Sequence, residues 1–246
     1  MQVMKQKKNQ LKEIIIELKK QENKKDKKIL ERFFKTGEGE YGEGDVFLGI
    51  RVPKQRKIAK KYLDLTKKEI EKLLNSKYHE FRMTGLIILI EKYQKGNEKT
   101  KKQIVKTYKN NFKNINNWDL VDVSAPKIFG DYLLKQENKK TINKILTEMS
   151  TSKNMWERRI AIISTLTFIK NNQFKQTIKL SKKYLKDKED LMHKATGWML
   201  REIGKKEKTV LINFLEENHQ IMPRTMLRYS LEKLTEKEKE KYMKKN

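Results

Sequence analysis

Two tryptophans, each paired with a charged residue at helical spacing, are the side chains in this sequence best suited to chemistry. Trp118 is followed by Asp122 four residues later, and Trp198 by Arg201 three residues later. Such spacings place two side chains on one face of a helix, one turn apart. Each pair would present an aromatic platform beside a charge, although a Trp packed beside the stem of a charged residue is also an ordinary core arrangement.

Asp122 is the sharpest candidate for a catalytic group. A carboxylate among basic residues would repel a phosphate, so its functional interpretation is stabilisation of positive charge that develops on a substrate. Cleavage of a glycosidic bond needs such a group, because its transition state resembles an oxocarbenium ion. A fixed carboxylate helps most where water is excluded, and it can orient the attacking water. The structural alternative is a salt bridge within the same helix or a cap to a neighbouring repeat.

Basic residues near these positions are candidates for contacts to phosphate groups. Arg159 and Arg201 suit bidentate phosphate binding, but either could instead form an ion pair within its repeat, for example Arg201 with Glu202 or Glu232. Trp156, three residues before Arg159, is assigned mainly to packing. The remaining predicted contacts of this kind are Arg51, Arg82 and Lys194.

An internal repeat connects these positions. The steps from Arg82 to Asp119 and from Asp122 to Arg159 are each 37 residues, and the step from Arg159 to Lys194 is 35. A period in the upper thirties built from two helices is typical of HEAT or armadillo-type arrays. In such an α-solenoid, corresponding positions of successive repeats project into one concave groove. We therefore predict that the tryptophans, Asp122 and the basic residues line a common basic groove.

Helix signals dominate the rest of the chain. Two Thr-x-x-Glu capping boxes, at Thr66 and Thr235, each mark a helix start. We predict an all-α fold with a single α-solenoid domain over residues 1–246. The predicted helices cover about 5–22, 24–36, 53–63, 67–75, 78–95, 98–112, 116–134, 138–150, 154–171, 174–186, 189–204, 207–218, 222–233 and 236–244.

The one long break in the helical pattern is a glycine-rich loop over residues 37–49. It contains five of the ten glycines, and it lacks the Gly-Lys-Ser/Thr ending of a nucleotide-binding loop. Its four acidic residues could gather a cation. A flexible connector or a partner-facing loop is the favoured interpretation.

Composition favours an anionic partner. Lys and Arg number 59 against 32 Asp and Glu, which gives a formal net charge of +27. So much charge of one sign favours a nucleic acid, although a Lys-rich composition typical of an AT-rich genome would contribute part of it. The chain has no Cys, which excludes disulfides, thiol chemistry and zinc fingers. Its three histidines are far apart in sequence, so we expect no metal and no cofactor.

No apolar run approaches the roughly 20 residues that span a bilayer, and the N-terminal residues do not resemble a secretory signal. We therefore expect no membrane partner, and a cytoplasmic protein that is associated with the nucleoid when bound to DNA. We also expect a monomer.

Four ordered motifs resemble those of the DNA alkylation repair glycosylases of the AlkD type, over about residues 30 to 235. They are FLGIRVPKQR at Phe47–Arg56, NWDLVD at Asn117–Asp122, WERRIAI at Trp156–Ile162 and GWMLRE at Gly197–Glu202. The resemblance implies HEAT-like repeats that wrap duplex DNA and excise cationic N3- and N7-alkylpurines without extruding the damaged base.

The resemblance also implies individual roles. Asp122 matches the catalytic aspartate, Trp118 and Trp198 match tryptophans that contact the deoxyribose of the lesion, and Arg159 and Arg201 match arginines that bind the DNA backbone. The sequence departs from the family pattern at Arg51, where a polar residue is usual, and at Phe33, near a family Tyr. Residues 37–45 look like an insertion.

Three functions remain open on the sequence alone. The first is a monofunctional, metal-free glycosylase acting on alkylated bases in double-stranded DNA. The second is a DNA-binding protein without excision activity that recognises branched or distorted DNA. The third is a helical scaffold for an acidic protein, since fold alone does not choose between such roles.

Overall fold

The computed structural model describes residues 10–244, which are helical apart from loops and one isolated β-bridge between Val46 and Tyr78. The all-α class predicted from the sequence is confirmed. The first predicted helix, over about residues 5–22, lies partly outside the described residues, and its described part runs from Gln10 to Lys19. No helix among the described residues has the length and apolar character needed to cross a membrane.

The helices are α1 (Gln10–Lys19), α2 (Lys24–Phe33), α3 (Val52–Ala59), α4 (Lys67–Leu74), α5 (His79–Lys95), α6 (Glu98–Asn110), α7 (Trp118–Ala125), α8 (Asp131–Leu134), α9 (Lys139–Met149), α10 (Met155–Lys170), α11 (Lys175–Tyr184), α12 (Asp190–Lys206), α13 (Lys208–Asn218), α14 (Arg224–Leu231) and α15 (Glu236–Met243). Short 3-10 turns cover Lys60–Tyr62 and Phe112–Asn114, and a π-helical segment covers Pro126–Gly130.

The described residues form two compact units, which divide between Leu120 and Val121, inside α7. In the first unit, α5 is the central helix and packs against α3, α4 and α6. It is buried on all sides because its middle is apolar all round, from Leu86 to Ile90. In the second unit, α10 and α12 are central, and α12 packs against α10, α13 and α14. The single domain inferred from the sequence stays a prediction.

A proline shapes the segment that carries Trp118 and Asp122. Pro126 has no N–H, so it cannot donate to the carbonyl of Asp122 four residues earlier. The chain widens there into the π-helical segment before α8 begins, a feature often found near functional sites. Thr167 on α10 donates to the Pro126 carbonyl at 2.6 Å. This hydrogen bond ties the segment after Asp122 to the central helix of the second unit.

The C-terminal part of the glycine-rich loop is held firmly in the first unit. The Val46 N–H donates to the Lys77 carbonyl at 3.2 Å, and the Val46 carbonyl accepts from the His79 N–H at 2.9 Å. The buried Glu80 carboxylate then accepts hydrogen bonds from the three consecutive N–H groups of residues 48–50, at 2.8 to 3.1 Å. Glu80 therefore satisfies the backbone donors at the C-terminal end of the loop, and the interpretation of residues 37–49 as a connector or partner-facing loop stays a prediction.

Candidate functional site

Trp118 lies at the start of α7 in an aromatic cluster of the first unit. Its indole stacks on Phe34 with ring centres 5.2 Å apart, and Phe33 meets it edge-on at 5.8 Å. Phe34 in turn stacks on Phe47 at 5.1 Å. Offset stacking and edge-to-face contacts are the favourable arrangements of aromatic rings. The cluster therefore holds the half-buried indole by one face and one edge.

A mostly apolar cavity of about 370 Å³ lies beside this cluster. Phe33 is 60% exposed at its rim, which is unusual for a large apolar side chain in a soluble protein. The cavity is lined by Ile29, Leu30, Phe33, Phe34, Phe47, Ile50, Arg51, Val52, Gln55, His79, Glu80, Trp118 and Asp119.

A buried charge network lies beneath the aromatic cluster. His79 places Nδ1 3.0 Å from Asp45 and Nε2 2.9 Å from Asp119. The second oxygen of Asp45 accepts from Arg82 at 2.5 Å. Burial lowers the pKa of His79, but the neighbouring carboxylates of Asp119 and Asp45 outweigh it and raise that pKa to about 9. Burial raises the pKa of Asp45, but its contacts with His79 and Arg82 outweigh that effect and hold the pKa below its usual value.

Asp122 is bound by Arg159 within the second unit. Nε of Arg159 donates to Oδ1 of Asp122 at 3.0 Å, and Nη2 donates to Oδ2 at 2.8 Å. The Arg159 side chain is 5% exposed and that of Asp122 is 17% exposed. Nη1 of Arg159 donates to the Leu191 carbonyl at 2.5 Å. The pair joins two helices, so it is not the salt bridge within one helix that was considered for Asp122 but a contact to a neighbouring repeat.

Trp198 lies on α12, where its helix approaches a neighbour closely. A Cβ on Gly197 would lie 2.5 Å from the Met226 carbonyl, so only glycine allows α12 and α14 to pack at this point. Trp198 is partly exposed, and its Nε1 donates to Glu202 at 3.1 Å. Trp156, in contrast, is buried, as expected for a packing residue.

The predicted DNA-binding residues differ in what they can reach. Arg51 is 52% exposed and pairs with Asp26 at 2.7 Å. Lys194 pairs with Asp190 at 2.8 Å, and its side chain is 40% exposed. Arg201 is mostly buried and pairs with Glu232, which is one of the ion pairs expected for it if it does not bind phosphate.

Two of the predicted phosphate contacts need correction. Arg82 is buried, and its N–H groups bind Asp45 and the carbonyls of residues 76 and 77. Arg159 is equally buried and is occupied by Asp122 and Leu191. Neither guanidinium presents a free edge to a phosphate in this structure, because both complete buried hydrogen-bond networks.

Sequence reasoning missed Tyr41 as a partner of Trp118, and it missed the buried charge network of Asp45, His79 and Asp119. They come from a loop, a helix start and a helix's first turn that lie far apart in sequence, so no local spacing links them. The acidic residues of the loop do not gather around a cation: Glu40 and Glu43 accept from the Gly37 and Gly39 N–H groups, at 3.0 and 2.9 Å. Among residues 10–244, no group of three or more His, Cys, Asp or Glu is arranged to hold a metal ion.

Known structures share this fold. The chain is similar to a protein described as a predicted DNA alkylation repair enzyme from Enterococcus faecalis, with a TM-score of 0.69 and 18% identity over 88% of this chain and 98% of that one. It is also similar to the smu.31 protein of Streptococcus mutans UA159, with a TM-score of 0.53 and 19% identity over 92% of this chain and 98% of that one. No curated protein matches significantly.

The sequence itself matches a family model. The model described as DNA alkylation repair enzyme covers residues 14–234, which include Trp118, Asp122, Arg159 and Trp198. Because the match extends over most of the chain, the protein belongs to the DNA alkylation repair enzyme family.

Proposed function

We propose that this protein is a DNA glycosylase that hydrolyses the N-glycosidic bond of cationic N3- and N7-alkylpurines in duplex DNA. Family membership supports a role in the repair of alkylated DNA. The observation that carries the finer proposal is the fixed carboxylate of Asp122, which Arg159 orients through two hydrogen bonds. A carboxylate held in one geometry can stabilise a cationic transition state without reorganising during the reaction.

The main requirement for hydrolysis of this N-glycosidic bond is stabilisation of the positive charge that develops on the sugar. An alkylated purine already carries a positive charge, so it leaves as a neutral base when the bond from C1′ to nitrogen breaks, and no general acid is needed. Positive charge then builds on the sugar, where Asp122 stabilises it. Water adds to C1′ and loses a proton, which Asp122 or solvent accepts.

Trp118 and Trp198 are proposed to contact the deoxyribose of the lesion. The face of an indole beside a cation contributes about 0.5–2 kcal/mol, which corresponds to a rate factor of roughly 2 to 30. Both indoles are partly exposed, and each donates its N–H to an oxygen of the protein. The proposed contact to the sugar is therefore through a ring face and not through an N–H group, and for Trp118 it is the face opposite Phe34.

Arg51, Lys194 and Arg201 are the proposed contacts to the DNA backbone. The exposed side chains of Arg51 and Lys194 support this role most directly. Arg201 would have to exchange Glu232 for a phosphate. The net charge of +27 supports an anionic partner for the protein as a whole.

The decisive experiment measures release of 7-methylguanine from a methylated duplex under single-turnover conditions. Asp122→Asn should lower the rate by at least tenfold while DNA binding changes little, because the neutral amide removes the charge and keeps the shape. Arg158→Lys is a matched control on α10, since Arg158 forms a similar two-contact pair with Asp187. Equal rates for wild type and Asp122→Asn would remove Asp122 from the mechanism, and no release by wild type would refute the glycosylase proposal.

A second candidate is a DNA-binding protein that recognises branched or distorted DNA without cleaving it. The exposed ring of Phe33 beside the cavity favours it, because an unpaired base could stack there. Much tighter binding of a four-way junction than of linear duplex, without base release, would select this function.

A further inference from the structure

The glycine-rich loop contacts Trp118 directly through Tyr41. The Trp118 indole N–H donates to the Tyr41 hydroxyl at 3.3 Å, and that hydroxyl donates to the Phe33 carbonyl at 3.4 Å. The loop can come this close because residue 42 is glycine: a Cβ there would lie 2.3 Å from the Phe34 carbonyl. Stacking on Phe34 fixes the plane of the indole, and Tyr41 fixes its rotation within that plane.

The loop also holds both chain neighbours of Trp118, through Asp45. On one side, the Asn117 amide donates to Asp45 at 3.3 Å, and its oxygen accepts the Trp118 backbone N–H at 2.8 Å. On the other side, His79 bridges Asp45 to Asp119. One buried carboxylate of the loop therefore fixes the backbone before and after the tryptophan.

Both ring nitrogens of His79 face carboxylates. The imidazolium form of His79 can donate a hydrogen bond to each of them. Asp45, His79 and Asn117 are buried, where hydrogen bonds to charged groups are strong and costly to break. The contacts are therefore those of a rigid support.

We propose that Tyr41 and Asp45 are positioning residues for Trp118, so that the glycine-rich loop sets the orientation of the indole toward the sugar of the damaged nucleotide. This inference rests on the proposed glycosylase function. Neither residue contacts the reacting atoms in this assignment. Both act through Trp118, Tyr41 at the indole N–H and Asp45 at the backbone on either side.

The test compares Tyr41→Phe and Asp45→Asn with Glu38→Gln, a control that removes a charge from an exposed position of the same loop. Three quantities are measured: single-turnover base release at saturating DNA, the Kd for duplex DNA, and acrylamide quenching of Trp118 fluorescence. The fluorescence is measured in a Trp156→Phe, Trp198→Phe background, which leaves Trp118 as the one tryptophan.

Tyr41→Phe removes one hydroxyl and should lower the rate about two- to tenfold, the effect of losing one hydrogen bond. Its Kd should change less than twofold, and Trp118 should become more accessible to acrylamide. Asp45→Asn should show larger changes in the same direction, and Glu38→Gln should behave as wild type. If Asp45→Asn does not fold, the Tyr41→Phe variant alone tests whether the loop positions Trp118, because this substitution leaves the charge network intact.

Wild-type rate and wild-type quenching in Tyr41→Phe would overturn the inference while the glycosylase function stands. If wild type releases no base, the function fails, and quenching then decides the structural part separately. Unchanged quenching in both loop variants would show that the loop does not hold the indole.

Discussion

Asp122 and Arg159 form a two-point ion pair across neighbouring helices of the second unit, 37 residues apart in sequence. Parallel hydrogen bonds between a guanidinium and a carboxylate fix the orientation of both groups. Removing one partner of a buried pair leaves the other charge uncompensated, which costs more than the pair contributes. The pair therefore ties the proposed catalytic carboxylate to a group that is itself buried and immobile.

The first prediction concerns Arg159→Lys. A lysine ammonium is a point charge without the fork of donors, so Asp122 keeps a cation nearby and loses its fixed orientation. Base release should fall by about tenfold or more under single-turnover conditions. The salt dependence of DNA binding should not change, because the Arg159 side chain is 5% exposed and its N–H groups bind Asp122 and the Leu191 carbonyl. A direct phosphate contact would instead lower the slope of log affinity against log salt by about one.

Arg158→Lys controls for the general effect of breaking such a pair, because Arg158 binds Asp187 in a comparable way on the same helix. It should reduce stability to a similar degree and leave base release near the wild-type rate. Equal rate losses in both variants would mean that Arg159 contributes to the fold and not to the site.

The second prediction concerns Trp198. Trp198→Phe keeps an aromatic face and should lose less than about threefold in the rate of base release, whereas Trp198→Ala should lose roughly 2- to 30-fold. Trp156→Phe is the control, because Trp156 is buried in the core of the second unit. A Trp198→Ala variant that folds and releases base at the wild-type rate would show that this indole does not contact the sugar.

The local parts of this fold were predictable from sequence, because local rules determine them. Both capping boxes, at Thr66 and Thr235, form as predicted. Trp118 and Asp122 lie on one helix, as their spacing required. The 37-residue period also relates Asp122 to Arg159, and equivalent positions of stacked helices are neighbours. The groove predicted from this period stays a prediction, and at these two positions the opposite charges pair with each other.

The non-local parts of the site could not be predicted in the same way. Asp45, His79 and Asp119 come from three segments, and their pairing depends on how the loop folds back onto α5. The helical period predicts which face of α5 is apolar and carries no information on where a loop carboxylate will lie. The contacts of a buried histidine with two carboxylates can be recognised only in the folded structure, because the three residues are not close in sequence.

The third prediction is a loss of stability between about pH 6.5 and pH 9. His79 has an ordinary pKa of 6.5 in the unfolded chain and a pKa raised to about 9 in the folded protein. The folded state therefore keeps a proton that the unfolded state releases in this range, so stability falls as the pH rises through it. The contribution is fully present below pH 6.5 and is lost above about pH 9. Since one pKa unit corresponds to about 1.4 kcal/mol, the loss amounts to about 3 kcal/mol.

Denaturant unfolding at a series of pH values checks this, with His79→Gln as the comparison. The variant should be less stable at pH 6.5, because Asp45 and Asp119 lose the cation between them. Its free energy of unfolding should also no longer fall between pH 6.5 and pH 9, since no proton is released at position 79 on unfolding. His219, which is not part of this network, provides a second control: His219→Gln should keep the wild-type slope. A wild-type free energy of unfolding that stays constant from pH 6.5 to pH 9 would contradict the prediction, because the folded network would then hold no proton that the unfolded chain has released.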